Sequence, residues 1–376
     1  MADRVNTAER LEAAAAAAEQ YYVASSWTLM RRKFVKHRLA VIAWFVLAIL
    51  YLAAAFAGFA APYDRIASRT DFSMAPPTRV RILHEGRLQA PFIYGLTRQR
   101  NPETLLMEYQ TDPEQRHRIR LFVSGDKYKV LGLVTANKHL FGVEEPGVMF
   151  LFGTDQLGRD ILSRIIHGAR ISLSIGLLGV AMSFVLGCML GGLSGFIGGP
   201  VDMAIQRAIE FLQSLPTIPL WMSLAAAIPI DWSPLRRYFL ITLILSIIGW
   251  TGLARIVRGK ILQLREEDYV TAAGVSGATR RNVIVRHMLP NFLGYLIVHL
   301  TLEVPGMILG ETALSFLGIG LQPPVVSWGV ALQQASNIRS VALHPWLLIP
   351  ALFVVLTVLC FNFVGDGMRD AADPYK

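Results

Sequence analysis

The chain has 376 residues, of which 53% are hydrophobic and 17% are charged, whereas an ordinary soluble protein carries about a quarter charged residues. Its net charge of +9 does not indicate nucleic-acid binding, because the basic residues flank hydrophobic blocks and no basic segment with interleaved aromatic residues lies outside those flanks. The two cysteines, Cys188 and Cys360, lie inside hydrophobic blocks, so we predict that they pack as small side chains and form neither a disulfide nor a metal site.

The hydrophobic residues gather in long blocks that contain no charged residue. Each block is about long enough to cross ~30 Å of hydrocarbon as a helix. The sequence therefore predicts an integral membrane protein with several spans. The uncharged blocks are 39–61, 171–201, 211–230, 238–254 and 345–365.

The N-terminal region, 1–38, is predicted to be a cytoplasmic tail that ends in an interfacial segment. Residues 1–25 lack the basic start and the small-residue cleavage site of a secretory signal. Residues 26–38 carry five basic side chains among hydrophobic ones, directly before the first predicted span at 39–61. Because cytoplasmic flanks are rich in Lys and Arg, this cluster predicts a cytoplasmic N-terminus. The five are Arg31, Arg32, Lys33, Lys36 and Arg38.

No span is predicted in residues 62–147. Two parts of this insert, 79–94 and 117–134, alternate hydrophobic and polar residues as strands do, and the sequence Ser-Gly-Asp at 124–126 predicts a turn. We predict a small β-rich extracytoplasmic domain of ~85 residues, which is long enough for a compact module. The alternative is an extended loop that packs on the mouth of the channel.

Five further spans are predicted in the core region, 148–376. The first is rich in small residues, and Gly187 and Gly191 form a small-xxx-small pair that allows close helix packing in lipid. The second is interrupted by Pro216 and Pro219, and such a break is tolerated only where neighbours or water satisfy the freed carbonyl groups. The predicted spans are 171–197, 204–228, 239–256, 292–314 and 346–365.

An even count of six spans places both termini in the cytoplasm. The polar segment 258–290 then lies in the cytoplasm as well, and its basic residues agree with the excess of positive charge expected there. Four arginines on the predicted outer side disagree with that rule, but the two cytoplasmic clusters outweigh them. The four are Arg164, Arg170, Arg236 and Arg237.

The polar segment 258–290 is predicted to dock a partner protein. Ala272, Ala273 and Gly277 are small residues at helical spacing, so a helix here would present a face that another protein can approach closely. The chain lacks the sequence G-x-x-x-x-G-K-[ST] that cradles ATP phosphates. We therefore expect no cofactor on this chain, and any use of ATP requires a separate subunit.

Ionisable residues in or near the spans are candidates for the translocation pathway or its gate. Glu303 and Glu311 lie eight residues apart, near one face of a helix, and acids inside a membrane are functional candidates by default. A structural role is the alternative, above all for Glu311. Glu210 and Gln213, beside Pro216, are candidates for the cytoplasmic half of the path.

A second group of charged residues precedes the second span. Asp155, Arg159 and Asp160 are candidates for an outer gate or for a contact with an extracytoplasmic binding protein. The alternative is a solvated amphipathic helix with internal ion pairs, which stabilise little when they are exposed.

The segment 268–291 resembles the ATPase-docking loop of ABC importer membrane subunits, whose pattern is E-A-A, three residues, Gly, nine residues and I-x-L-P. Thr271 replaces the usual Glu, and His287 replaces the Ile, as is familiar in the oligopeptide/dipeptide subgroup. The resemblance implies that this loop binds the ATPase. The residues concerned are Asp268, Thr271, Ala272, Ala273, Gly277, His287, Leu289 and Pro290.

Other stretches resemble the same subgroup, densely over 150–376 and loosely in the first span, but not in the insert. The resemblance implies a type I permease fold of six helices, with the chain as the C-type subunit in the inner membrane. It also implies a second homologous permease, two ABC ATPases that bind ATP and Mg²⁺, and an extracytoplasmic binding protein. The stretches are FGTDQLGRD at 152–160, GARIS at 168–172, LQSLPTIP at 212–219, ETALSFLGIG at 311–320, PPVVSWG at 323–329 and NFVGDGMRDAADP at 362–374.

Alternatives to a peptide importer stay open at this point. Members of the subgroup also import oligosaccharides or nickel, so the resemblance does not fix the substrate. An ion-coupled secondary transporter would need coupling acids at the midplane and inverted repeats, and we find no internal repeat. A membrane enzyme would need a metal-ligand spacing or a nucleophile paired with a base, and neither pattern is present in the sequence.

Overall fold

The computed structural model describes residues 26–84, 86–100, 102, 107–130, 132–229 and 231–372, so the predicted tail at 1–25 lies outside the described residues. Within these residues the chain is mostly helical, and five helices are long and hydrophobic enough to cross a membrane. The prediction of a polytopic helical membrane protein is confirmed. The five helices are Arg38–Ala55, Ile161–Ile197, Pro234–Leu264, Arg280–Phe316 and Pro345–Ala372.

The helical elements are numbered here in chain order. A π-helical turn, Val283–Met288, and a 3-10 turn, Leu289–Phe292, join α9 to α10. Other 3-10 turns lie at Thr70–Phe72, Gln333–Ser336 and Pro345–Leu348. The α-helices are α1 (Ser26–Lys36), α2 (Arg38–Ala55), α3 (Ala57–Ala60), α4 (Ile161–Ile197), α5 (Gly199–Ser214), α6 (Thr217–Ala226), α7 (Pro234–Leu264), α8 (Asp268–Val275), α9 (Arg280–Asn282), α10 (Leu293–Phe316), α11 (Trp328–Leu332), α12 (Ile338–Leu343) and α13 (Ile349–Ala372).

Helix α4 begins well before the predicted start at 171, because Asp160 caps it. The Asp160 carboxylate accepts a hydrogen bond of 2.7 Å from the backbone N–H of Ser163, which satisfies one of the free donors of the first turn. Two arginines that were predicted to lie outside the span, Arg164 and Arg170, are therefore part of the helix. Hydrophobicity marks only the apolar portion of a helix that continues beyond it.

Helices α4 and α7 pack closely, and glycines make the approach possible. A β-carbon at Gly187 would lie 2.8 Å from the Leu253 side chain, and one at Gly195 would lie 2.8 Å from the backbone oxygen of Arg258. Gly191 faces the backbone of α7 at Ala254 in the same way. The predicted close-packing role of the Gly187–Gly191 pair is confirmed, since only a residue without a side chain fits there.

The main core lies among α4, α7, α10 and α13. Trp328, at the start of α11, is fully buried in it, and its indole N–H donates a hydrogen bond of 3.0 Å to the backbone oxygen of Ile165. Leu245 of α7 and Ile308 of α10 are also fully buried. The loop between α10 and α13 is thus folded back onto the helices, and a buried tryptophan with a satisfied N–H holds it there.

The predicted span 204–228 is not one helix. Helix α5 ends at Ser214, Pro216 has an extended backbone with φ −60° and ψ 122°, and α6 starts at Thr217. Pro216 has no N–H to continue the hydrogen-bond ladder, so the chain breaks at the predicted position. Helix α6 has 10 residues, which is too short to cross a membrane alone.

Three of the four arginines that conflict with the predicted topology are held by contacts within the fold. Arg164 is buried and lies 3.6 Å from Asp155. Arg170 donates a hydrogen bond of 3.1 Å to the backbone oxygen of Ala54, and Arg237 donates one of 3.3 Å to a backbone oxygen after α10. Because these guanidinium groups serve as structural partners, they are not free charges of a loop.

The insert contains five antiparallel strands in two sheets. The first sheet has the order β1-β2-β3, and β4 pairs with β5 in the second. The predicted turn at 124–126 is wrong: these residues lie within β4, where the pairing with β5 shifts register after Ser124. The strands are β1 (Arg81–His84), β2 (Arg87–Arg100), β3 (Met107–Arg118), β4 (Arg120–Val130) and β5 (Val134–Gly142).

Polar contacts join both sheets to the segment that follows α3. Nδ1 of His139 lies 2.6 Å from the backbone oxygen of Ala61, just after α3. In the first sheet, the Tyr109 hydroxyl donates a hydrogen bond of 2.6 Å to the backbone oxygen of Ser73. The described part of the insert therefore consists largely of β strands.

Candidate docking surface and translocation pathway

Helix α8 in the predicted docking segment ends in a glycine-terminated turn. Gly277 has a left-handed backbone with φ +82°, and the N–H of Ala278 donates a hydrogen bond of 3.1 Å to the oxygen of Ala273. This bond closes the helix C-terminus in the way that a glycine just past a helix allows. The prediction that Gly277 shares a helix face with Ala272 and Ala273 is wrong, because a left-handed residue ends the helix.

The outer side of α8 is exposed and partly hydrophobic. Thr271 and Ala272 are exposed, and the side chain of Val275 is 85% exposed at the last position of the helix. Asp268, in the first turn, is exposed as well. An exposed valine beside small residues is the kind of surface that another protein can cover.

The inner side of the docking segment is anchored among the helices. Val270 is 5% exposed and Met288 is fully buried, and both belong to a hydrophobic cluster with Val257 and Ile261 of α7. This cluster fixes α8 and the turn after α9 to the end of α7. A force applied to α8 from outside is therefore transmitted to α7 through packed side chains.

The end of the segment is joined to α8 by a hydrogen bond. The side-chain amide of Asn291 donates to the Tyr269 hydroxyl at 2.7 Å and to the backbone oxygen of His287 at 2.8 Å. His287 and Leu289 are half-buried, whereas Pro290 is exposed. The two parts of the predicted motif are thus held together, and the structure places all eight predicted residues in one region.

A charged pair that the sequence analysis missed lies next to this region. Arg258 of α7 donates two hydrogen bonds of 2.6 Å to the carboxylate of Asp202 in the first turn of α5. Ser194 of α4 also donates to this carboxylate. In the sequence, Asp202 is a single acid shortly after the glycine-rich end of the predicted span 171–197. That isolated acid was the signal from which a structural ion pair could have been predicted.

The candidates around the break between α5 and α6 are exposed or weakly held. Glu210 forms an exposed ion pair of 2.8 Å with Arg207. The Gln213 amide donates a hydrogen bond of 3.1 Å to the Thr251 hydroxyl of α7, and Pro216 is exposed. These side chains lie along one end of the broken element and are available to a pathway.

The two acids of α10 lie in different environments. The Glu303 side chain is 19% exposed and lies 3.0 Å from His299, whereas Glu311 is fully buried. Side chains eight residues apart on an α-helix differ in direction by about 80°. That difference is enough for Glu303 to be partly exposed while Glu311 is buried. This burial favours the structural role that was the alternative for Glu311.

Glu311 instead organises a serine cluster. The hydroxyls of Ser172 in α4 and Ser315 in α10 donate hydrogen bonds of 3.0 Å and 2.8 Å to its carboxylate. Each hydroxyl also accepts a backbone N–H, from Trp328 at 3.1 Å and from Leu321 at 3.0 Å. The carboxylate therefore ties the loop after α10 to both helices, which satisfies buried polar groups in three separate segments.

The candidate outer-face group is buried rather than exposed. Asp155 is 3% exposed; it pairs with Arg159 at 2.7 Å and accepts hydrogen bonds from two backbone N–H groups of its own turn. Asp160 is 4% exposed and caps α4. Both carboxylates therefore accept hydrogen bonds within this chain and are not exposed to a binding protein. They lie in the turn before α4 and at its N-cap, and not on the solvated helix that was the alternative.

Burial changes the titration of the capping residue. It raises the pKa of Asp160 to about 6, against the lowering effect of hydrogen bonds from Ser163. The other carboxylate oxygen, Oδ1, has no hydrogen-bond partner among the described residues. Asp160 therefore exchanges a proton near neutral pH.

Comparison with known proteins places most of the core among transport components. A family described as "Binding-protein-dependent transport system inner membrane component" matches residues 183–375. A second family, "N-terminal TM domain of oligopeptide transport permease C", matches residues 25–77. The two matches leave out most of the insert, which agrees with its absence from the resemblance found in the sequence.

Individual relatives match more than half of the chain. The oligopeptide transport system permease protein OppC of Haemophilus influenzae is 46% identical over 224 residues, which are 59% of this chain and 70% of that protein. The dipeptide transport system permease protein DppC of Bacillus subtilis is 40% identical over 230 residues, 61% of this chain and 70% of that protein. Among solved structures, a chain of the MetNI methionine ABC transporter in an inward-facing conformation is 18% identical, with a TM-score of 0.44, and the match covers 57% of this chain and 98% of that one.

Proposed function

This chain belongs to the family of binding-protein-dependent transport system inner membrane components, and we propose that it is the C-type permease subunit of an ABC importer for peptides. The observation that carries the proposal is its identity of 46% and 40% to oligopeptide and dipeptide permeases over 224 and 230 residues. The chain is a membrane pore subunit and not an enzyme. ATP hydrolysis belongs to a separate subunit, which also binds the ATP and Mg²⁺.

We propose that α8 and the turn that follows it receive the ATPase. The support is a surface that is exposed outside at Val275 and anchored inside at Val270 and Met288. Closure of two ATPase subunits would move α8, and the packed cluster would carry the movement to α7. The proposed docking residues are Asp268, Thr271, Ala272, Ala273, Gly277, His287, Leu289 and Pro290.

The proposed topology has six crossings and both termini in the cytoplasm. Helices α5 and α6 together form the sixth crossing, with the break at Pro216 inside it. The proposed divisions are a tail and interfacial segment at 1–38, the first crossing at 39–61, an extracytoplasmic insert at 62–147 and the core at 148–376. The same count of six crossings places the segment 258–290 in the cytoplasm.

The pore is proposed to form between this chain and a second homologous permease, and an extracytoplasmic binding protein delivers the peptide to it. Glu210, Gln213 and Pro216 are the proposed residues of the cytoplasmic half of the path. Their support is the break in the helix together with side chains that remain exposed there. Peptide then moves by alternating access as the ATPases open and close.

Peptide uptake into sealed membrane vesicles tests the function. Vesicles that contain the assembled transporter, its binding protein and ATP should accumulate a labelled peptide, and depletion of ATP should stop uptake. Val275→Asp places a charge on the docking surface and should uncouple ATP hydrolysis from transport. Val134→Asp is the matched control, since this valine of the insert is 65% exposed. Uptake that survives ATP depletion would contradict the proposal.

The topology has its own test. Leu133 and Val275 are 86% and 85% exposed, so a cysteine at either position should react freely with a membrane-impermeant thiol reagent. Leu133→Cys should react from outside intact spheroplasts, and Val275→Cys only after the inner face is opened. Reaction of both from the same side would exclude the six-crossing arrangement.

A further inference from the structure

One face of α10 is only partly covered by the rest of the chain. It consists of Tyr295, His299, Glu303 and Gly306, which follow one another at intervals of four, four and three residues and so share one side of the helix. Tyr295 is 49% exposed and Gly306 is exposed, while the side chains of His299 and Glu303 are 26% and 19% exposed. We call these four residues the α10 face.

The other sides of α10 are packed against neighbouring helices. A β-carbon at Gly176 of α4 would lie 3.0 Å from Ile308, and one at Gly310 would lie 2.9 Å from Trp221 of α6. Leu302 lies directly against Gly365 of α13. Within the described residues, the α10 face is therefore the side of this helix that looks away from the protein.

Glu303 carries an unfilled hydrogen-bond acceptor near the middle of this 24-residue helix. Its Oε1 lies 3.0 Å from Nε2 of His299, but neither that nitrogen nor the buried Oε2 of Glu303 has a hydrogen-bond partner among the described residues. Helices α6 and α10 contain no Lys or Arg, so these elements supply no cation. A carboxylate with a free acceptor is costly in hydrocarbon and acceptable where water or a ligand supplies donors.

We propose that the α10 face lines the aqueous translocation pathway, and that Glu303 binds an ammonium group of the substrate such as the free N-terminus of a peptide. The inference rests on the proposed function, because it requires a pathway for peptides. An ammonium group has three donors and fills the free Oε2. Gly306 leaves room beside the site, since nothing lies within 4 Å of an added β-carbon there.

Accessibility of the α10 face to water is the first test. In a Cys188→Ala, Cys360→Ala background, which removes both native thiols, Gly306→Cys in the assembled transporter should react with a charged, water-soluble methanethiosulfonate reagent. Ile49→Cys is the control, because Ile49 lies inside α2, is 64% exposed and has no Asp, Glu, Lys or Arg on its helix turn. It should react only after denaturation. An unreactive Gly306→Cys, or equal reaction at both positions, would overturn the pathway assignment.

The chemistry of the site is tested by uptake of two peptides that differ only in an N-terminal acetyl group. Glu303→Gln should lower uptake of the free-amine peptide at least about tenfold, as expected for loss of one charge-assisted hydrogen bond, and should change uptake of the acetylated peptide little. Glu144→Gln is the matched control, since this acid of the insert is exposed, is paired with Arg120 and lies outside the proposed path.

Failure of the proposed function and failure of the proposed site at Glu303 give different results. If the wild-type transporter accumulates no peptide, the proposed function is wrong. If it accumulates peptide, and Glu303→Gln copurifies with its ATPase and transports the free-amine peptide at the wild-type rate, only the site at Glu303 is wrong. Glu303→Asp keeps the negative charge and should preserve the preference for the free-amine peptide. That result would exclude a merely structural effect of Glu303→Gln.

Discussion

Arg258 holds Asp202 through two parallel hydrogen bonds of 2.6 Å, from Nε to one carboxylate oxygen and from Nη2 to the other. The pair joins the first turn of α5 to the last part of α7. Ser194 of α4 donates to the same carboxylate, so three helices meet at one charge. Because α7 leads directly into the docking segment, this contact lies where movement of α8 would reach the broken helix.

Asp202→Asn should destabilise the protein measurably. Its side chain is 19% exposed and that of Arg258 is 33% exposed, so solvent weakens the ion pair but does not abolish its contribution to stability. We expect a loss of about 1–2 kcal/mol, seen as a lower midpoint of thermal unfolding in mild detergent. Glu210→Gln removes the more exposed ion pair with Arg207 and should shift the midpoint far less. Equal shifts for the two variants would contradict a structural role for the Asp202 pair.

Gly277 should be replaceable by asparagine but not by valine. Nothing lies within 4 Å of a β-carbon added there, and its φ is +82°, so the backbone and not the available space limits the substitution. A left-handed conformation costs most residues about 1–2 kcal/mol, whereas asparagine adopts it readily. Gly277→Val should therefore lose transport coupled to ATP hydrolysis, and Gly277→Asn should keep most of it. Equal loss in both variants would show that the partner needs the bare glycine surface itself.

The sequence predicts the apolar spans and the docking loop because both signals are local. The break at Pro216 follows from a missing N–H, and the docking motif depends on spacing within one loop. Gly277 shows the limit of spacing arguments: three small residues fit a helical period, but glycine is also the residue that ends helices. The family resemblance is confirmed by the relatives and the matching family.

What the sequence does not predict depends on partners that are distant in the chain. Arg164 is accommodated inside α4 by an ion pair with Asp155, in the turn before the helix. A prediction from hydropathy alone ends the span at such an arginine. The strand β3 was missed because its sequence, MEYQTDPEQRHR, has no hydrophobic alternation. The serine cluster around Glu311 was not predicted, because its partner Ser172 comes from a helix 139 residues away.

Asp160 should make stability depend on pH in a defined direction. Its pKa is raised by burial from 3.8 to about 6, so the folded protein holds the proton more tightly than the unfolded chain does. The resulting stabilisation is fully present below about pH 4 and is lost as pH rises through about 6. For a shift of this size it is on the order of 2–3 kcal/mol.

Asp160→Asn tests this expectation, because asparagine still caps a helix but does not titrate. The thermal midpoint of the wild type relative to that of the variant should fall as pH rises from 4 to 7, in detergent at constant ionic strength. A difference between the two proteins that stays constant over this range would contradict protonation of Asp160 in the folded state.

Glu311 should be a stabilising anchor and not a transport residue. Glu311→Ala leaves the hydroxyls of Ser172 and Ser315 without their acceptor in a fully buried place, and we expect a loss of about 3 kcal/mol. Glu311→Gln keeps an acceptor oxygen for one hydroxyl and should lose less. The Ser223 hydroxyl donates only within its own exposed turn, so Ser223→Ala is the control with little effect. If Glu311→Ala unfolds at the same temperature as Ser223→Ala but stops peptide uptake, the buried cluster is not an anchor, and Glu311 acts in the pathway after all.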